Sequence, residues 1–138
     1  MVKAKLNWYG TDVMLKIEKA SAEMVTKIAF VLEGQAKIGA KVDTGFMRNA
    51  TYAVPADESP SDTGWESGDY DDREGNTVFR GRSDSVPSLR KHQAAVHFAA
   101  EYTIHVEMRE PFIYPALEAT KDILSTQGEN TYIVKRRK

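Results

Sequence analysis

The order of apolar and polar residues changes character several times along the chain. Val2, Ala4, Leu6 and Trp8 alternate with Lys3, Lys5 and Asn7, a period of two that predicts a short edge-like strand ended by Gly10. Thr11 or Asp12 then offers a short side-chain oxygen to cap a helix. From Val13 to about Ile38 the period becomes helical. Met14, Ile17, Met24, Ile28, Val31 and Ile38 form one stripe, interrupted by Ser21 and Gln35. Lys16, Glu18, Glu23, Lys27 and Glu33 fall mostly away from it. A helix of about 26 residues is about 39 Å long, more than a small sheet alone covers. The stripe therefore predicts core packing, with packing of the far end of the helix on a neighbouring subunit as the alternative. Gly34 marks a bend or an early end, and Gly39 a terminus.

Asp43-Thr44-Gly45 follows as a turn, with a carboxylate that reaches nearby amides and a glycine that tolerates positive φ. Alternation over Asn49–Val54 predicts a strand, and Arg48 stands where it can meet a carboxylate or an adjacent chain. Residues 55–90 are rich in glycine, proline and acids: between Asp57 and Glu74 there are eight acids against one arginine. Such composition predicts a flexible acidic insertion loop, with a short strand at "TVFRGR". Sustained alternation from Ala94 through Glu107 predicts another strand. Pro115 to about Leu124 reads as a short helix ending by Gly128, Thr131–Val134 as a last strand, and residues 129–138 as a mobile basic tail. The expectation is a single α+β domain over 1–138. A mostly antiparallel sheet packs against one long N-terminal helix and a short C-terminal helix.

Composition adds limits. At 138 residues the chain can bury a modest core, and a formal net charge of −1 gives no overall attraction to nucleic acid or anionic membrane. Without cysteine there is no disulfide, thiolate metal site or cysteine nucleophile. The longest apolar run, Ile28–Leu32, is far short of a membrane span, and no secretory leader is expected at the N-terminus.

Candidate chemistry is thin. Asp69, Asp71 and Arg73 imitate the start of a calcium loop, but arginine cannot ligate and Gly75 falls one residue late. His97, Glu101 and His105 are spaced by four. On a helix they would share a face and suit a metal-dependent hydrolase; on a strand the two histidines stand about 26 Å apart. Asp43-Thr44-Gly45 lacks the second carboxylate and flanking apolar runs of an aspartic protease. The basic C-terminus offers at most a sequence-independent phosphate contact. No catalytic residue, cofactor or metal site is expected.

Three phrases remain: "VDTGFMRNA", "YTIHVE" and "PFIYPALE". In this order, after a long helix, they resemble the Val-Asp-Thr-Gly-x-Leu/Met-Arg-x-Ser, Tyr-Ala-x-x-Val-Glu and Pro-Phe-Leu-x-Pro-Ala-Leu elements of the tail-component or tail-completion family of tailed bacteriophages. The resemblance covers the chain from the first strand to Leu124. Thr103 stands in place of an alanine, Met108-Arg109 in place of a Gly-Thr pair, and the acidic insertion is longer. The resemblance implies helix or turn within Tyr102–Glu107, where alternation implies strand. It also implies a structural virion protein that completes the tail and joins it to the head connector. The expected form is a ring, commonly hexameric, that is free as a monomer before assembly. Its implied partners are copies of itself, the major tail-tube protein and a connector or stopper protein. A neck stopper or another minor tail component is the alternative. Asp43, Thr44, Gly45, Arg48, Tyr102 and Glu107 are then expected to serve the fold or subunit contacts, with Phe112 and Pro115 anchoring the C-terminal helix. The acidic loop is expected to order on assembly.

Overall fold

The structure, a computed structural model, describes residues 3–5, 7–43, 45–56, 65–83 and 88–135, with side chains described to Gln127. The fold is α+β. The elements in order are α1 (Gly10–Gly39), α2 (Phe46–Asn49), β1 (Thr51–Val54), β2 (Gly68–Asp71), β3 (Thr77–Arg80), β4 (Ala95–Phe98), α3 (Thr103–Arg109) and α4 (Ile113–Lys135). The strands form two antiparallel pairs rather than one sheet. Thr51 faces Phe98 and Val54 faces Ala95 in one, and Gly68 faces Arg80 and Asp71 faces Thr77 in the other.

Helix α1 has 30 residues, about 45 Å, and runs without a break through Gly34. It starts before the expected caps: Tyr9 is the N-cap residue and provides no side-chain hydrogen bond. The Trp8 indole lies so close to Gly10 that a Cβ there would stand 2.3 Å from its nitrogen. The expected strand over Val2–Trp8 is not formed among the described residues 3–5 and 7–9, and Trp8 is 83% exposed. Its alternation has no ladder to join. The edge of β1 turned away from β4 is occupied by α1 side chains: the Ala53 N–H donates to Glu33 Oε2 at 2.9 Å, and the Ala56 N–H donates to Thr26 Oγ1 at 3.1 Å. On the far side of β4, the Ser83 N–H donates to the Ala99 carbonyl and the Glu101 N–H to the Gly81 carbonyl.

The apolar stripe of α1 is not its buried line. Ala29 and Ala36 are buried, followed by Ala40, whereas Met14, Ile17, Met24 and Ile38 are exposed and Ile28 and Val31 half-buried. Two causes act together. Strands of four residues span only about 13 Å, so the sheet covers the C-terminal half of the helix and no more. Small residues at the contact allow close approach, and α4, which also packs against α1, likewise buries small residues, Ala116 and Thr120.

The core lies where α1 ends. Phe46 and Met47 of α2, Tyr52 and Val54 of β1, Ala99, Ala100 and Phe112 form one buried cluster, with Trp65, Tyr70, Phe98, Tyr102 and Val106 packed around it. Within the span expected as an acidic flexible loop, residues 68–80 form a hairpin, because its few apolar residues are large aromatics that find the core. Trp65 and Tyr70 stack at 5.1 Å and an interplanar angle of 9°, and Tyr70 meets Phe46 at 4.9 Å. Asp72 organises the turn, its Oδ1 accepting the N–H groups of Glu74 and Asn76, while Gly75 takes φ +84°. Residues 57–64 and 84–87 of that span lie outside the described residues.

The single strand expected from Ala94 to Glu107 divides. Pairing ends at Phe98, Ala100 bridges Arg82, and α3 follows. Helix keeps Tyr102 and Val106 against the core at a spacing of four and leaves Ile104 64% exposed; a strand would have put all three on one face. Helix α4 begins at Ile113 and runs past Gly128 to Lys135, so the strand expected at Thr131–Val134 is helix instead. Residues 136–138 of the basic tail lie outside the described residues.

Candidate functional site

The sequence-derived candidates fall into two clusters, with Arg48 apart from both and Thr44 outside the described residues. The first cluster surrounds a cleft of about 490 Å³ where the turn after α1, the β2–β3 hairpin and the turn before α3 meet. Gly45 takes φ +83°, a left-handed conformation that a Cβ would strain, and so delivers the chain from α1 into α2. Asp43 is thereby set at the rim, where its carboxylate accepts a hydrogen bond from Arg80 of β3. The guanidinium of Arg80 lies over the Tyr102 ring at 5.0 Å. Its Nε is buried and has no hydrogen-bond partner among the described residues.

Asp43, Arg80 and Tyr102 thus join three segments that are remote in sequence. From the sequence Arg80 is only a residue of the short strand expected at "TVFRGR"; its spacing from Asp43 carries no local signal. The ion pair is half-exposed at Asp43 and contributes about 0–1 kcal/mol. The cation–π contact adds about 0.5–1 kcal/mol. An arginine stays protonated, so it positions and neutralises a carboxylate without exchanging protons.

The second cluster is the α3–α4 joint. Glu107 reaches across it and accepts three backbone N–H groups, from Phe112 at 2.8 Å, Ile113 at 2.9 Å and Tyr114 at 3.3 Å. Pro115, exposed in the first turn of α4, has no N–H to satisfy, and the Ala116 N–H already donates to the Phe112 carbonyl. One carboxylate therefore accounts for the free amides at the start of α4. Burial pushes the Glu107 carboxyl up, but the three amides outweigh it and hold the group below the ordinary value of 4.5. Phe112 is buried, packs edge-on against Phe98 at 5.9 Å and lies against Gly39, the last residue of α1.

Arg48 is exposed on α2 and has no ion pair with a described residue. His97, Glu101 and His105 lie on a strand, a turn and a helix, so neither geometry weighed for them applies. His97 sits edge-on to Tyr52, with its Nε2 2.8 Å from the Ser83 carbonyl. Among the described residues no group of three histidine, aspartate or glutamate side chains is placed to hold a metal, and no helix is long and apolar enough to cross a membrane.

The surface has one further large feature, which includes Met14 and Ile17 of the apolar stripe. Trp8, Tyr9, Val13, Met14, Leu15 and Ile17 are all more than half exposed along the start of α1. Comparison of the chain with protein-family models, with curated proteins and with solved structures finds no match in any of the three.

Proposed function

We propose that the chain is a structural virion protein that completes a non-contractile phage tail and joins it to the head connector, assembling as a ring. The observation that carries this reading is the run of exposed apolar side chains from Trp8 to Ile17, on a helix that outreaches its own sheet. Apolar surface on this scale marks a site of association with another macromolecule. Ring subunits present unlike surfaces to their two neighbours, and a protruding helix at one end and a rimmed cleft at the other suit that requirement.

The positions of the three phrases support the same reading. "VDTG" supplies the turn out of α1, "YTIHVE" supplies α3 and its capping glutamate, and "PFIYP" supplies the capped turn. Each conserves backbone geometry at a joint rather than assembling a nucleophile and a base. Electron microscopy of particles made without this protein tests the proposal. Long uncapped tubes identify a tail terminator, and full-length tails that fail to join heads identify a joining protein. Normal infectious virions would refute both.

A further inference from the structure

We infer that the free chain forms an antiparallel dimer through the first half of α1, the occupant of its exposed seam being the same seam of a second copy. This goes beyond the tail reading and stands without it: a dimer replaces the monomer expected before assembly, and it must open for the same helix face to meet a neighbour in a ring. The seam follows a spacing of alternating four and three: Val13, Ile17, Ala20 and Met24, all exposed and all apolar. That is the heptad spacing by which two helices interlock, and it continues with Lys27, whose charge ends the apolar run.

Charge on the flank selects both direction and register. Beside the seam, at seven-residue intervals, stand Tyr9, Lys16, Glu23 and Phe30, each exposed. In an antiparallel pair with Ile17 opposite Ala20 of the second copy, Val13 lies opposite Met24. The flanking residues then match as Lys16 with Glu23 and Tyr9 with Phe30, each pair occurring twice by symmetry. A shift of one heptad sets Glu23 against Glu23. A parallel pair in register sets Lys16 and Glu23 against Ser21 and Ile28 of the second copy and leaves both charges without a partner. Neither Lys16 nor Glu23 has an ion pair within the chain among the described residues.

The area is sufficient. Tyr9, Val13, Met14, Ile17, Met24 and Phe30 are each at least 44% exposed. Together they present on the order of 600 Å², most of the roughly 800 Å² per partner in a standard interface.

The test uses the full chain. Sedimentation velocity at micromolar concentration is expected to show a dimer. Lys16→Glu or Glu23→Lys alone weakens it about tenfold, since two attractions become two repulsions. The double variant Lys16→Glu/Glu23→Lys restores it. All these positions are exposed, and circular dichroism verifies that each variant is folded. The chain has no cysteine, so disulfide trapping adds a geometric readout. An equimolar mixture of Ile17→Cys and Ala20→Cys chains, oxidised gently, is expected to yield the mixed disulfide in preference to either homodimer. A monomer at 100 times the working concentration, failure of the double variant to recover, or efficient Ile17→Cys homodimers would each overturn the inference.

Discussion

Removal of the Glu107 carboxylate isolates the joint between α3 and α4. In Glu107→Ala the N–H groups of Phe112, Ile113 and Tyr114 lose their acceptor together. Loss of a capping side chain costs about 0.5–2 kcal/mol. Here the acceptor is charged and serves two short bonds and one long one, which places the loss at the upper end. Glu107 is half-buried, so water reaches the freed amides and spares the full desolvation penalty. The expected destabilisation is about 2 kcal/mol, or roughly 7 °C in Tm for a chain of this size. Glu107→Gln keeps a neutral acceptor and loses about half as much. Urea unfolding at fixed protein concentration, followed by circular dichroism, reads the change as a lower midpoint at constant slope.

The pH dependence carries its own sign. The folded carboxyl titrates below its ordinary value of 4.5, so its stabilisation is complete above that pH and is lost as pH falls through the folded value. Wild type and Glu107→Ala therefore converge in acid. An alanine variant within about 0.3 kcal/mol of wild type at pH 7, or a gap that widens below pH 4, would refute the capping argument.

Other outcomes follow from the same structure. Gly45→Ala, at φ +83°, is expected to lose about 1–2 kcal/mol in urea unfolding. Phe46→Ala removes a fully buried ring that Trp65 and Tyr70 pack upon, costing about 3–5 kcal/mol and bringing hydrogen exchange in the hairpin closer to that of an unfolded chain. A double-mutant cycle between Arg80→Met and Tyr102→Leu is expected to give a coupling of about 0.5–1 kcal/mol; zero coupling would remove the cation–π contact from the account. Asp72→Ala leaves the Asn76 amide without its acceptor and accelerates exchange there while β1 and β4 keep their protection.

Elements whose local period the tertiary contacts reinforced were legible in the sequence; a clean period with no ladder to join, as before Gly10, and segments with two competing periods were not. The long helix α1, the turn at Gly45, most of the strand expected at Asn49–Val54 and the proline-marked start of α4 all had local signals that tertiary contacts reinforced; Asn49 instead ends α2 and pairing begins at Thr51. Alternation at Tyr102, Ile104 and Val106 was misleading, because a spacing of four between Tyr102 and Val106 fits helix as well as strand. The stripe on α1 was read correctly as amphipathic, but its assignment to the chain's own core fails at Met14, Ile17, Met24 and Ile38, which are exposed. Its alanines, too weakly apolar to stand out, are what the helix buries. The hairpin was hidden by its acids, since composition averages over Trp65 and Tyr70 and cannot register that both reach Phe46. At the candidate site, Asp43 and Tyr102 were identifiable, but Arg80 was not, as the contact joins residues 37 positions apart.

The side chains of Glu33 and Thr26, bonded to the outer edge of β1, have a consequence for how any partner can attach. Many proteins recruit an extended peptide by letting it extend a sheet, its main chain completing the row of open hydrogen bonds. Here α1 already occupies one border of the β1–β4 pair, and residues 81–83 lie against residues 99–101, just past the end of β4. A neighbour that meets the β1 side of this pair must therefore grip side chains of α1, so recognition there depends on residue identity and not on a generic backbone.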